Sequence, residues 1–146
     1  MPGTRRLSGV ARLPLVGTII KPSVGFPPEA TAALVKQLVE AGIDFIKDDE
    51  LQADSPHCPF EQRVLAVMRV INEHAARTGK TVMVAFNLTG EIDEMLQRHD
   101  MVQQAGGTCV MVSLNSIGSG SQVKAAARAH LGCRNTFPGS STPSSN

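Results

Sequence analysis

Residues 44–50, Asp44-Phe45-Ile46-Lys47-Asp48-Asp49-Glu50, run an apolar segment without a break into one lysine and three carboxylates. Side chains along a strand alternate between its faces, so a strand here points Lys47 and Asp49 one way and Asp48 the other. Glu50 lies where the strand gives way to a loop and can swing back toward that pair. The segment therefore predicts a group of oxygen donors at the carboxyl end of a buried strand. Hard divalent cations such as magnesium favour that setting.

The flanking sequence frames this strand. Upstream, Leu15 to Ile20 reads as a short apolar strand ended by Lys21-Pro22, because proline cannot donate to a ladder. Pro28-Glu29 then opens a helix with the apolar stripe Leu34, Val35, Leu38, Val39 and Ala41, and Gly42 stops it. Downstream, Phe60, Val64, Val67, Met68, Ile71 and Ala75 recur at steps of three and four, and Gly79 closes that helix. Thr81 to Phe86 (TVMVAF) predicts a third strand, followed by the turn Asn87-Leu88-Thr89-Gly90. Glu91, Asp93 and Glu94 place negative charge at the positive end of a third helix, which runs to about Ala105 and ends at Gly106-Gly107. Thr108 to Leu114 (TCVMVSL) is the fourth strand, with Asn115-Ser116 at its tip.

Apolar runs without alternation imply strands buried on both faces, and intervening helices imply right-handed parallel crossovers. The strand centres Ile19, Ile46, Val84 and Met111 are separated by 27, 38 and 27 residues. This α/β rhythm, about four parallel β-strands alternating with helices, fits a partial (β/α)8 TIM barrel or an open doubly wound sheet. Lys21-Pro22-Ser23-Val24-Gly25 is not the Gly-rich phosphate fingerprint that would favour the second. Polar residues gather instead at every strand's carboxyl end: Lys21, then Lys47 with Asp49 and Glu50, then Asn87, then Asn115 and Ser116. A barrel keeps its catalytic groups there.

Composition narrows the function classes. The 146 residues are 42% apolar and 18% charged, ordinary for a globular domain, and the aromatic residues are five Phe, so the core is aliphatic. A net charge of +1 gives no reason to expect nucleic acid or an acidic membrane surface. No segment has the pattern of a signal peptide, and no apolar run approaches the roughly 20 residues that span a bilayer. Cys58, Cys109 and Cys133 lack metal-ligand spacing and read as reduced thiols, which gives the expectation of a cytoplasmic protein. His57, His74, His99 and His130 read as surface groups, and Met68, Met83, Met95 and Met111 as core filling.

Two motifs carry a resemblance. Gly17-Thr18-Ile19-Ile20-Lys21-Pro22, the helix after it, and Gly42 to Glu50 resemble the large chain of ribulose-bisphosphate carboxylase (RuBisCO), and more closely a RuBisCO-like protein, over roughly residues 3–118. The resemblance implies that Lys47 is carbamylated by carbon dioxide and joins Asp49 and Glu50 on Mg2+, and that Lys21 acts in enolisation and proton transfer. A carbamate forms only on an uncharged amine, so such a lysine must give up its proton. Ser23 and Ile19 stand where the carboxylases carry a lysine and a threonine. That departure shifts the expected chemistry from ribulose-bisphosphate carboxylation to magnesium-dependent enolisation of another sugar-derived keto acid or phosphate. Decarboxylation, carboxyl transfer and isomerisation are then the expected outcomes, in a lyase or isomerase with carbon dioxide as a small partner.

The resemblance also implies a domain plan. Residues 1–14 would be a connector from an N-terminal domain and residues 15–118 the first half of the barrel, in a family that works as homo-oligomers. Residues 1–118 hold 11 basic and all 13 acidic side chains, whereas the last 28 hold three basic and no acidic ones. Residues 119–146 are therefore read as a divergent tail, such as a frameshift or truncation leaves: a short helix over Gln122 to His130, then a disordered Ser/Pro-rich end. The alternative function is a catalytically inactive fragment or interaction remnant.

Overall fold

In a computed structural model of the chain, which describes residues 5, 8–10, 12–113, 115 and 116, glycine and proline set the helix limits expected from the sequence. Helix α1 (Pro28–Glu40) has proline in its first turn, and α2 (Phe60–Thr78) stops at Gly79, whose φ of 72° is left-handed. Helix α3 (Ile92–Gln104) starts with a reciprocal cap, in which Glu91 and Glu94 each accept from the other's backbone amide. The strands are β1 (Gly17–Ile19), β2 (Phe45–Lys47), β3 (Met83–Asn87) and β4 (Cys109–Met111). Each is shorter than its apolar run, and β3 extends one residue past its run to take in Asn87, which was expected in the turn. The expected helix over Gln122 to His130, the tail from 119, Cys133 and Leu114 lie outside the described residues, as do Met1–Thr4, Arg6, Leu7 and Ala11 of the expected connector.

All three strand pairs are parallel, and the sheet order β1-β2-β3-β4 follows the chain without reversal. A doubly wound sheet would reverse at a switch point, whereas a barrel lays down its strands in sequence. Right-handed crossovers then place every helix on one face, and α1 packs on α2 and α2 on α3 accordingly. The fold is α/β, an arc of a (β/α)8 barrel.

Residue parity divides the two faces. Ile20, Ile46, Val84 and Phe86 point toward the helices and join Val35, Val39, Phe60, Val64, Val67, Ile71 and Met95 in the core. Phe60 meets Phe86 edge-on, with centroids 6.5 Å apart. The odd-numbered residues Ile19, Phe45, Lys47, Ala85, Asn87 and Met111 occupy the other face by alternation.

Three expectations need correction. Burial on both faces holds along β3, but β1 is an edge strand and leaves Ile19 46% exposed, while β4 is half-buried throughout. His74 is buried rather than superficial, because α1 packs over that side of α2. Met111 is half-buried because it lies on the edge strand β4, whereas Met68, Met83 and Met95 are core residues as expected.

Two charged clamps set the strands' relative positions. At the amino ends, Asp44 accepts from the Val16 amide (2.9 Å) and pairs with Lys80 (2.7 Å), contacts that hold its carboxyl below the ordinary range, Lys80 most of all. At the carboxyl ends, the fully buried Arg63 of α2 reaches Asp48 (3.3 Å), the Cys58 carbonyl (2.9 Å) and the Ala53 carbonyl (2.8 Å). Burial pushes the Asp48 carboxyl up, and Arg63 pulls it back.

Removing one partner of such a pair leaves an uncompensated buried charge and two orphaned carbonyls. Arg63→Leu is expected to lower unfolding stability by roughly 3–5 kcal/mol, read from urea denaturation midpoints. A loss under about 1 kcal/mol, the scale of an exposed pair, would contradict this account of the clamp.

Candidate active site at the carboxyl ends of the strands

The parallel register brings the ends of β1 and β2 side by side. Ile19 is opposite Lys47, and the Ile20 amide donates to the Lys47 carbonyl at 2.9 Å. Lys21 therefore leaves the sheet beside the segment Asp48-Asp49-Glu50. Its ammonium donates to Asp49 Oδ2, while Asp49 Oδ1 accepts from the Leu51 amide at 2.8 Å. The Asp49 side chain is fully buried and that of Lys21 is 62% exposed, so the pair presents its cation outward.

Electrostatics follow from these contacts. Lys21 holds the Asp49 carboxyl below its ordinary range, helped by the Leu51 amide and the Ser23 hydroxyl. Asp49 in turn raises Lys21. Lys47 pairs with Glu50 at 2.6 Å and holds that carboxyl low as well. Glu50 has swung back to Lys47, as its position after the strand allows. The four residues thus form two amine–carboxylate pairs.

Gly25, at φ 79°, closes the site from the β1 side. A Cβ there would sit 2.5 Å from Gln52 Nε2, so the bare backbone lets the loop after β1 lie against the loop after β2.

Several residues at this end carried no role in the sequence. Asn87, fully buried at the end of β3, donates through Nδ2 to the carbonyls of Asp49 (3.1 Å) and Glu50 (3.0 Å). Its backbone amide donates to Asp48 Oδ2 at 3.1 Å. Thr89 caps Asn87 Oδ1, and the Ser113 amide donates to the Thr89 hydroxyl at 2.8 Å. The clue available in the sequence was an asparagine ending an apolar run. Arg63 gave no such clue, since it falls among the charged positions of a helical pattern. Asn115 and Ser116 are exposed.

The donor set can be tested against a hard cation. Among the described residues, no three His, Cys, Asp or Glu side chains gather to hold a metal ion. Asp49 and Glu50 supply two carboxylates, so a third anionic oxygen from this site has to come from a lysine carbamate. A carbamate on Lys47 would set two anions face to face across its contact with Glu50, an arrangement a divalent cation resolves. The residues fit Mg2+ on that condition.

Comparisons with known proteins bear on the same segment. The family model for the ribulose bisphosphate carboxylase large chain, catalytic domain, matches residues 3–134. The 3-oxo-isoapionate-4-phosphate transcarboxylase/hydrolase of Xanthobacter autotrophicus is 66% identical over 116 residues, covering 80% of this chain and 28% of that protein. The 3-oxo-isoapionate-4-phosphate decarboxylase of Rhizobium etli is 48% identical over 119 residues, covering 81% and 28%. A crystal structure of a rubisco-like protein from Burkholderia fungorum superposes with a TM-score of 0.83 at 46% identity, over 86% of this chain and 31% of that one. The chain thus spans less than a third of the length of each of these proteins.

The Lys21–Asp49 pair has a pH signature. Asp49 ionises more readily folded than unfolded, so its stabilisation is present above the ordinary carboxylate value and lost as pH falls through the depressed one. Lys21→Met should move the Asp49 titration upward, read from its carboxyl carbon by NMR, and should shrink the stability lost on acidification through the carboxylate range. An unmoved titration would show that Lys21 does not hold this carboxylate.

Proposed function

The chain belongs to the ribulose bisphosphate carboxylase large-chain family, and we propose that it forms the cation-binding and proton-transfer end of a RuBisCO-like enzyme acting on a sugar-derived 3-oxo acid phosphate. The observation that carries this reading is the meeting of Lys21–Asp49 and Lys47–Glu50 at adjacent parallel strand ends. In it, residues 15–118 are the first half of the barrel, residues 1–14 the connector and 119–146 a divergent tail. The activity of the whole protein is part of the proposal, because the chain covers 28% of its relatives.

Asp49, Glu50 and a carbamate of Lys47 would hold Mg2+, which when bound supplies Lewis-acid polarisation of a substrate carbonyl oxygen. In decarboxylation or carboxyl transfer from a 3-oxo acid, the bond to the carboxyl carbon breaks and its electron pair moves onto that oxygen. Lys21, kept protonated by Asp49 and open to solvent, places a positive charge beside the developing anion and can return a proton to carbon. Asp49, buried and already ionised, meets a cation without first losing a proton. Ser23, standing where the carboxylases have a lysine, spends its hydroxyl on Asp49 instead of adding charge. That exchange favours the activities named for the Xanthobacter and Rhizobium relatives over ribulose-bisphosphate carboxylation.

Self-association also belongs to this reading. Among the described residues β1 is an edge strand, with Ile19 exposed on it and Val16 exposed just before it, and an unpaired parallel edge invites a second chain. Sedimentation at rising concentration should show a dimer or larger species; a folded monomer throughout would remove this part.

The metal site has a direct assay. With 13C-bicarbonate and Mg2+, the wild-type chain should give a carbamate carbon resonance that Lys47→Ala abolishes and that fades when Mg2+ is chelated. Identical spectra for the two proteins would overturn the assignment of Lys47.

A further inference from the structure

We infer that Asn87 is the positioning residue of this site, its buried side-chain amide fixing the peptide planes of Asp49 and Glu50 and so the directions in which their carboxylates leave the backbone. The inference deepens the metal-site reading and rests on it for the consequence, though not for the geometry.

Three observations carry it. First, both Nδ2 hydrogens are spent on consecutive carbonyls, those of Asp49 (3.1 Å) and Glu50 (3.0 Å), and these are the two residues proposed to hold the cation. Second, the amide can face only one way. A flip would turn Oδ1 against two carbonyl oxygens and Nδ2 against the Thr89 amide, which is 3.1 Å from Oδ1. The Thr89 hydroxyl, at 2.5 Å, seals that orientation. Third, Thr89 is itself anchored, since the Ser113 amide beyond β4 donates to its hydroxyl at 2.8 Å. A chain of hydrogen bonds therefore runs from the end of β4 through Thr89 and Asn87 to the segment after β2. With its backbone amide on Asp48, one residue touches all three acidic positions.

A general loop-filling role predicts something different. An asparagine that merely satisfied stray backbone groups would not need both donors on two adjacent residues of another strand's end together with an acceptor capped by Thr89, itself anchored from beyond β4. Outer contacts of this kind orient ligands that they do not themselves provide, and their loss costs about 10–100-fold in metal affinity.

Asn87→Asp removes both donors and sets an anion against the two carbonyls. Thr89→Val keeps Asn87 and the backbone amide on its Oδ1 but removes the hydroxyl that seals it and ties it to Ser113, and Thr89→Ser restores that hydroxyl. Two readouts apply to the full chain: hydrogen exchange of the Leu51 and Gln52 amides, which bond to Asp49 Oδ1 (2.8 Å) and O (3.1 Å), and Mn2+ affinity in bicarbonate by electron paramagnetic resonance. The expected result is faster exchange at Leu51 and Gln52 in Asn87→Asp and Thr89→Val, with α1 protection unchanged, Mn2+ binding weakened about 10–100-fold, and Thr89→Ser like wild type. Should Asn87→Asp not fold, the Thr89 pair decides alone. Unchanged exchange at Leu51 and Gln52, loosening shared equally by α1, or full Mn2+ affinity in the variants of a wild type that binds it, would overturn the inference. A wild type that ignores Mn2+ while the exchange pattern appears as expected would sink the metal-site reading and leave the positioning role of Asn87 supported.

Discussion

Three consecutive acidic side chains at one strand end repel one another, and the structure around them answers to the need to give each its own partner. Asp48 turns into the helix layer and meets Arg63 and the Asn87 amide. Asp49 is buried on the opposite side against Lys21 and the Leu51 amide. Glu50 stays near solvent with Lys47. The alternation of side chains in β2 begins this separation, and cations from β1, β2 and α2 complete it.

The consequence is that neighbouring carboxylates have opposite acidities. Desolvation dominates at Asp48 and pushes its carboxyl up, whereas hydrogen bonding dominates at Asp49 and holds it down. Asp48 behaves as part of the scaffold, clamped where no substrate reaches. Asp49 is a preformed anion whose partner, Lys21, is open to solvent. In the proposed function that division would serve a site that receives a hard cation and moves a proton, because an ionised carboxylate and a proton-bearing amine already stand in contact.

Within the RuBisCO large-chain family, the departures at the first strand acquire a physical meaning. Ser23 does not replace the charge of the lysine found in carboxylases; its hydroxyl joins the contacts that stabilise the Asp49 anion. Ile19 places an apolar, half-exposed side chain beside the end of β2 where a hydroxyl would stand.

Much of this was legible in the chain itself. Apolar runs, helical periodicity and the glycines at positions 42, 79 and 106 determined four strands alternating with three helices, because these are local properties of backbone and side chain. The polar residues closing each run, Lys21, Lys47, Asp49, Glu50 and Asn87, marked the end of the sheet where chemistry gathers. Tertiary structure decided the rest. Strand order separated a barrel arc from a doubly wound sheet, since periodicity is the same in both. Edge position decided that Ile19 is exposed, and helix packing that His74 is buried. The pairing of Lys21 with Asp49, the burial of Arg63 against Asp48 and the reach of Asn87 across to two carbonyls join residues 15 to 38 positions apart. Such contacts depend on register and on the space left between elements, which exist only once the strands lie side by side.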